Sequence, residues 1–226
     1  VTITTGSSGS DSGDITISNS NPISKTSGGN ATLTLQAARN ITIGTSSAIT
    51  STSGTLGITL SSAHASGATT GGVKIGSNLT SNGGDILVGG NQGTAVDGIG
   101  YAENYAGGSS NQTSSAIQIN AVTISSGAGK IVLNGENKIS SGGNIDVNNP
   151  SGVYIAPNSN ITSTTGNIYS TTKSSGNKNF SLAFDQVSGS LTTVNSSGGG
   201  AIRLDATNSS TSTVAMGLTN YGQRST

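Results

Sequence analysis

Short runs of alternating apolar and small polar residues dominate this chain, as in Ile15-Thr16-Ile17, Leu33-Thr34-Leu35, Ile41-Thr42-Ile43 and Ile58-Thr59-Leu60. Successive side chains of a strand point to opposite faces, so each run predicts a strand with Ile, Val or Leu inward and Thr, Ser or Asn outward. No stretch carries apolar residues at i, i+3, i+4 and i+7, and 35 glycines interrupt every candidate window, so no helix is predicted.

One phrase organises the runs: Gly, then Asp or Asn, then a strand. It appears as Gly13-Asp14-Ile15, Gly84-Asp85-Ile86, Gly143-Asn144-Ile145 and Gly166-Asn167-Ile168, with looser copies at Gly29, Gly54, Gly129, Gly189 and Gly200. The step is 23 from Gly143 to Gly166 and again to Gly189, and 25 from Gly29 to Gly54; later steps of 30 and 45 imply insertions. Further short strands, such as Ala48-Ile49-Thr50 and Asn160-Ile161-Thr162, lie between copies and bring the repeat to about three strands. A unit of roughly 20 to 25 residues cannot bury its apolar side alone, whereas parallel stacking buries a continuous column. The fold expected is all-β, a right-handed parallel β-helix: one solenoid over residues 1–226 with about ten coils, close to 50 Å long at ~4.8 Å per coil. Residues 89–115 read as an inserted loop and 171–226 as less regular coils. Ile15, Ile17, Ile86, Ile145, Val147 and Ile168 should face inward, and Thr16 and Asp146 outward. At the corners, Gly supplies positive φ and the Asx side chain bonds nearby backbone donors; a ladder of ligands at Asp14, Asp85 and Asn144 is the functional alternative.

Composition sharpens this picture. Ile, Leu, Val and Phe number 21, 11, 11 and 2, about a fifth of the chain and near the level at which highly charged chains stay disordered. Here 9 basic and 9 acidic residues balance and the aliphatics are patterned, so order is expected and a nucleic-acid partner is not. Five Tyr, two Phe and no Trp leave too little for an ordinary globular core or a sugar-stacking platform, which favours a thin, elongated interior. Cysteine is absent, so no disulfide or thiolate site is expected. No apolar run reaches the ~20 residues of a membrane span. The chain opens within a strand at Val1 without Met and reads as an internal piece of a longer protein.

The stretch Ala31-Thr32-Leu33-Thr34-Leu35-Gln36-Ala37-Ala38-Arg39-Asn40-Ile41-Thr42-Ile43 and the later Ser81-Asn82-Gly83-Gly84-Asp85-Ile86 resemble the repeats of filamentous-haemagglutinin-like exoproteins, the adhesins of two-partner secretion systems. The resemblance covers residues 13–90, recurs at 129–170 and weakens after Lys173. It implies a right-handed β-helical shaft exported through an outer-membrane transporter and attached to host cells, other surfaces or sister bacteria, with a glycan receptor among the options. Its motif belongs to the shaft and does not name a receptor. Some relatives carry sugars on Asn-x-Ser/Thr triplets, which makes the triplets headed by Asn30, Asn40, Asn78, Asn111, Asn160, Asn179, Asn195 and Asn208 possible acceptors.

Enzymatic chemistry is the main competitor, because β-helices also host polysaccharide lyases and glycosidases; a virus-fibre or surface-layer piece is a further alternative. Carbohydrate cleavage needs carboxylates about 5–10 Å apart on one face. The candidates are Asp146 with Asp85 or Asp14, and Asp205 beside Arg203, and no convergent set is legible. His64, the only histidine, reads as a solvated loop residue without metal partners. Asn82-Gly83-Gly84-Asp85-Ile86-Leu87-Val88-Gly89-Gly90 resembles a calcium-binding nonapeptide, but it occurs once, where calcium rolls need tandem copies. No metal, cofactor or catalytic residue is therefore expected. The repeat stalls between Gly89 and Ser115, and Tyr101, Glu103, Asn104 and Tyr105 in that loop are the candidate binding residues; a passive cover over the shaft is the plainer alternative.

Overall fold

The computed structural model describes residues 1–8, 10–65, 68–107, 114–139, 150–175, 180–185, 187, 189–209 and 216–218. Its strands stack in three parallel sheets, and each turn of the chain visits them in the order A, B, C. Coil 1 comprises Thr2–Thr4, Ile15–Ile17 and Ile23–Lys25; coil 2, Ala31–Gln36, Ile41–Ile43 and Ile49–Ser51; coil 3, Leu56–Ser62, Val73–Ile75 and Leu79–Thr80. Coil 4 contributes Ile86–Gly90, Ile117–Ile119 and Thr123–Ser125; coil 5, Ile131–Asn137, Val153–Ile155 and Asn160–Ser163; coil 6, Ile168–Ser174, Leu182–Phe184 and Thr193–Ser196. Coil 7 contributes Ile202–Asn208 to sheet A and Met216–Leu218 to sheet B. This is a parallel β-helix, as the alternation predicted.

Register explains why aliphatics recur where they do. In sheet A, Leu33, Ile58, Ile86, Ile131, Ile168 and Ile202 stack on one another, beside Ile3, Leu35, Leu60, Val88, Leu133, Ser170 and Leu204. Sheet B adds Ile15, Ile41, Val73, Ile117, Val153 and Leu182, and sheet C adds Ile23, Ile49, Leu79, Ile124, Ile161 and Val194. These columns merge into one core. Ile15, Ile86 and Ile168 are buried in it as expected; Ile145, Val147 and Asp146, with the Gly143-Asn144 phrase, lie outside the described residues.

The number of coils differs from the expected ten: the described strands make seven rungs. Partners in sheet A lie 25, 28, 45, 37 and 34 residues apart from coil 2 onward. Six rung intervals at ~4.8 Å span about 29 Å, not 50 Å. The 23-residue period misled because unlike features carry the same phrase. Gly13-Asp14 leads into sheet B, whereas Gly84-Asp85 and Gly166-Asn167 lead into sheet A. Gly189-Ser190-Leu191 is a turn, with Leu191 71% exposed. The stretch from residue 171 keeps strict register in sheet A, where Ile168–Ser174 pairs with Ile202–Asn208 over all seven residues.

Corners are held by small polar side chains. Asp14, Asn19, Asn30, Asn78, Asp85 and Asn167 each accept, through Oδ1, the backbone N–H of the following coil, at Asn40, Thr45, Thr55, Thr123, Lys130 and Ala201. The donors lie one coil away rather than nearby in sequence, so the Asx residue is a rung-to-rung tie. Gly84, Gly129, Gly166 and Gly200 stack at the entry to sheet A, where a Cβ on any of them would strike the backbone of the coil beneath.

Candidate functional site

The break in the repeat is built around a hairpin. Coil 4 leaves sheet A at Gly90, runs out as Gln92–Val96, turns at Asp97-Gly98 and returns antiparallel as Ile99–Tyr101. Both turn residues have positive φ, 55° and 110°, as a type I′ hairpin turn requires. Gly89, Gly90 and Gly100 form its neck, where a Cβ would meet the opposing backbone. After the hairpin the chain re-enters the stack: Ala102 bridges to Gly135 in parallel, and the Glu103 N–H donates to Gly71 O at 2.9 Å.

This arrangement corrects the expectation of an open loop for the stretch that the structure describes. Tyr101, Glu103 and Asn104 are 2%, 0% and 1% exposed, and none presents a contact surface. The Tyr101 ring lies under Gly93, with the Lys173 ammonium 4.1 Å from its centroid. Asn104 faces the stack interior, where its Nδ2 donates to Asn137 Oδ1 at 2.6 Å and its Oδ1 accepts from the Lys138 N–H at 2.7 Å. Tyr105 is half-buried, its hydroxyl 2.7 Å from Thr42 Oγ1 on the outer face of sheet B. Residues 108–113 of the predicted loop lie outside the described residues.

Glu103 is the most unusual titratable group. Its Oε1 accepts from Lys138 Nζ at 2.6 Å, while its buried Oε2 has no hydrogen-bond partner among the described residues. Glu136, one rung away, stands with Oε2 4.0 Å from the same ammonium. Burial first, joined by repulsion from Glu136, raises the Glu103 pKa against the opposing hydrogen bond and attraction of Lys138, and the net shift is upward. Asp14 behaves oppositely: burial raises its carboxyl, but the Arg39 guanidinium (2.8 and 2.6 Å) and the Asn40 N–H outweigh burial and hold it below the ordinary carboxylate value.

The remaining candidates are dispersed. Asp14 and Asp85 tie corners of different sheets, and Asp205 sits on the outer face of coil 7, 2.9 Å from Arg203. His64 Nε2 lies 2.7 Å from Ser61 Oγ, a contact the sequence did not suggest, and burial lowers its pKa. A serine and a base in contact form half of a nucleophile pair; among the described residues no carboxylate orients the ring, and no three of Asp, Glu or His gather as a metal site. A polar recess at the A–B corner of coil 1 is lined by Thr5, Ser8, Asp11, Ser12 and Asp14.

The acceptor triplets separate by burial. Asn40 is 2% exposed and its amide makes three hydrogen bonds, accepting from Gly72 and Ala106 N–H and donating to Ala106 O, which leaves no room for a sugar. Asn30, Asn78 and Asn195 are exposed; Asn111 and Asn179 lie outside the described residues. Among the described residues no helix is long and apolar enough to cross a membrane. No known protein family, curated protein or solved structure matches this chain.

Proposed function

We propose that this chain is a shaft segment of a secreted bacterial surface fibre that serves cell adhesion or aggregation, with no catalytic centre of its own. The observation that carries the reading is how the polar side chains are used. Asx residues that could have lined an outer cleft instead tie each coil to the next, Asn160 accepting from the Thr193 hydroxyl between coils 5 and 6. The interior is one continuous aliphatic column, suited to extension rather than to enclosing a ligand. The likeness of residues 13–90 to filamentous-haemagglutinin-like repeats adds export through an outer-membrane transporter, and a host-cell or bacterial surface, glycan-bearing or not, as partner. Of the four loop residues, Tyr105 retains accessible surface, and among the described residues a contact at this place can draw on it and on exposed hairpin residues such as Gly93–Ala95 and Gly98.

The test separates shaft from tip. Excising whole coils from the parent fibre should lower adhesion, and inserting the same number of unrelated β-helical coils should restore it. Failure of unrelated coils to restore adhesion would place the receptor contact within this segment. Release of unsaturated or reducing ends from pectin, alginate or glycosaminoglycans by the purified segment would overturn the reading in favour of a carbohydrate-active enzyme.

A further inference from the structure

In a solenoid each coil touches only its neighbours, so stability is a chain of nearest-neighbour terms and the ends can fray independently. The hairpin breaks that rule. It springs from coil 4 but folds back over the outer face of sheet A, where side chains of three later coils hold it. From coil 5, Asn134 Nδ2 donates to both carbonyls that flank the turn, Val96 O at 2.7 Å and Ile99 O at 2.8 Å, and Lys130 Nζ donates to Asp97 O at 2.9 Å. From coil 6, Lys173 covers the Tyr101 ring. From coil 7, Arg203 pairs with the Asp97 carboxylate across 106 residues of sequence while its guanidinium lies 4.4 Å from the Tyr169 ring of coil 6.

We propose that the hairpin Gln92–Tyr101 is a strap that couples coil 4 directly to coil 7, so that coils 4 to 7 open as one unit while coils 1 to 3 open separately. The turn carries a single charge, Asp97, and the cations of three successive coils, Lys130, Lys173 and Arg203, converge on the hairpin. Asn134 fixes its height over the sheet: buried, it spends both amide hydrogens on hairpin carbonyls. A passive appendage needs no bond beyond the adjacent coil, whereas this one has its only carboxylate three coils away from its root.

Native-state hydrogen exchange read by mass spectrometry on the whole chain tests the strap. Asp97→Asn keeps the positive-φ turn and the carbonyl that Lys130 uses, and removes only the charge that reaches coil 7. Exchange in 202–208 should rise about two- to fivefold, the size expected of a partly exposed ion pair, with 31–36 unchanged. Asn134→Ala removes the two buried bonds from coil 5 that set the height of the hairpin and should raise exchange in 168–174 and 202–208 about tenfold, in keeping with loss of buried hydrogen bonds. Faster exchange confined to 91–101 in both variants would overturn the proposal and leave the hairpin a local cover.

Discussion

Serine fills what the aliphatic columns leave empty. Ser51, Ser81, Ser126 and Ser163 are buried where sheet C turns into sheet A, and each donates its hydroxyl to a carbonyl of its own corner or of a neighbouring coil. Ser47, Ser77 and Ser159 do the same work between sheets B and C, where Ser77 Oγ accepts from the Ser47 N–H and Ser159 Oγ from the Ala121 N–H. A chain with so few large apolar residues can thus bury its backbone, because the corner peptide groups are satisfied by side chains of the same size as a turn. Glycine acts by absence. Gly166→Ala would drive a methyl into the Gly129 carbonyl, a backbone atom that cannot step aside, and should cost about 3 kcal/mol or more in urea unfolding. Gly28→Ala meets open space and carries only the strain of φ +80°, about 1–2 kcal/mol; equal costs would show that the glycine stack is not a contact. The two perturbed carboxylates give opposite pH signatures. Asp14, with a lowered pKa, contributes stability that is present above the ordinary carboxylate value and lost as pH falls through the lowered one. Asp14→Asn should therefore destabilise by at most about 1 kcal/mol at neutral pH, the pair being partly exposed, and should match the parent in strong acid. Glu103, with a raised pKa, contributes stability that is complete below the ordinary value and lost as pH rises through the raised one. Glu103→Gln should gain on the parent as pH rises from 4 towards 8, read as the difference in thermal midpoints.

At the scale of elements, the strands were legible and their bookkeeping was not. Ile-Thr-Ile and Leu-Thr-Leu alternation marks inward and outward positions without ambiguity, because a strand offers only two faces. The period was obscured by corners that share a phrase but belong to different sheets, and by insertions such as the 45-residue step from Asp85 to Lys130. The hairpin carries its own local signal, Asp-Gly between the apolar residues Val96 and Ile99, which is a strong short-range mark of a type I′ turn. Read as a stalled repeat, the stretch looks like a loop, and Tyr101 and Glu103 then look exposed. Their burial comes from residues distant in sequence, Lys173 over the ring and Lys138 on the carboxylate, which no local pattern announces. A loop longer by a few residues would be excised at little cost, but this hairpin cannot be. Removing residues 92–100 strips Asn134 of two carbonyl acceptors in a buried setting, and the shortened chain should lose about 1–3 kcal/mol in urea unfolding. An unchanged midpoint would mean that the amide finds water or new partners once the hairpin is gone.

For the whole molecule, the consequence of stacking is that a residue's importance depends on its height in the column. The sequence establishes that a column exists; it does not reveal where the column is closed on both sides, because Ile131 and Ile202 occupy equivalent places in equivalent phrases. The structure separates them: Ile131 is fully buried between Ile86 and Ile168, whereas Ile202 pairs with Ile168 on one side and is 45% exposed. A carboxylate at position 131 would be desolvated by coils above and below with no cation aimed at it, and Ile131→Asp should cost several kcal/mol and uncouple the coils on either side. In this chain taken on its own, Ile202→Asp can turn its charge to water and should cost about 1 kcal/mol or less, with any loss of protection shared by coils 4 to 7, which the hairpin joins, and none in coils 1 to 3. Circular dichroism of both variants should keep the β signature of the parent, since each coil is held by its own neighbours. If the two substitutions prove equally damaging in urea unfolding, the stack behaves as a single all-or-none unit, and height in the column carries no energetic meaning.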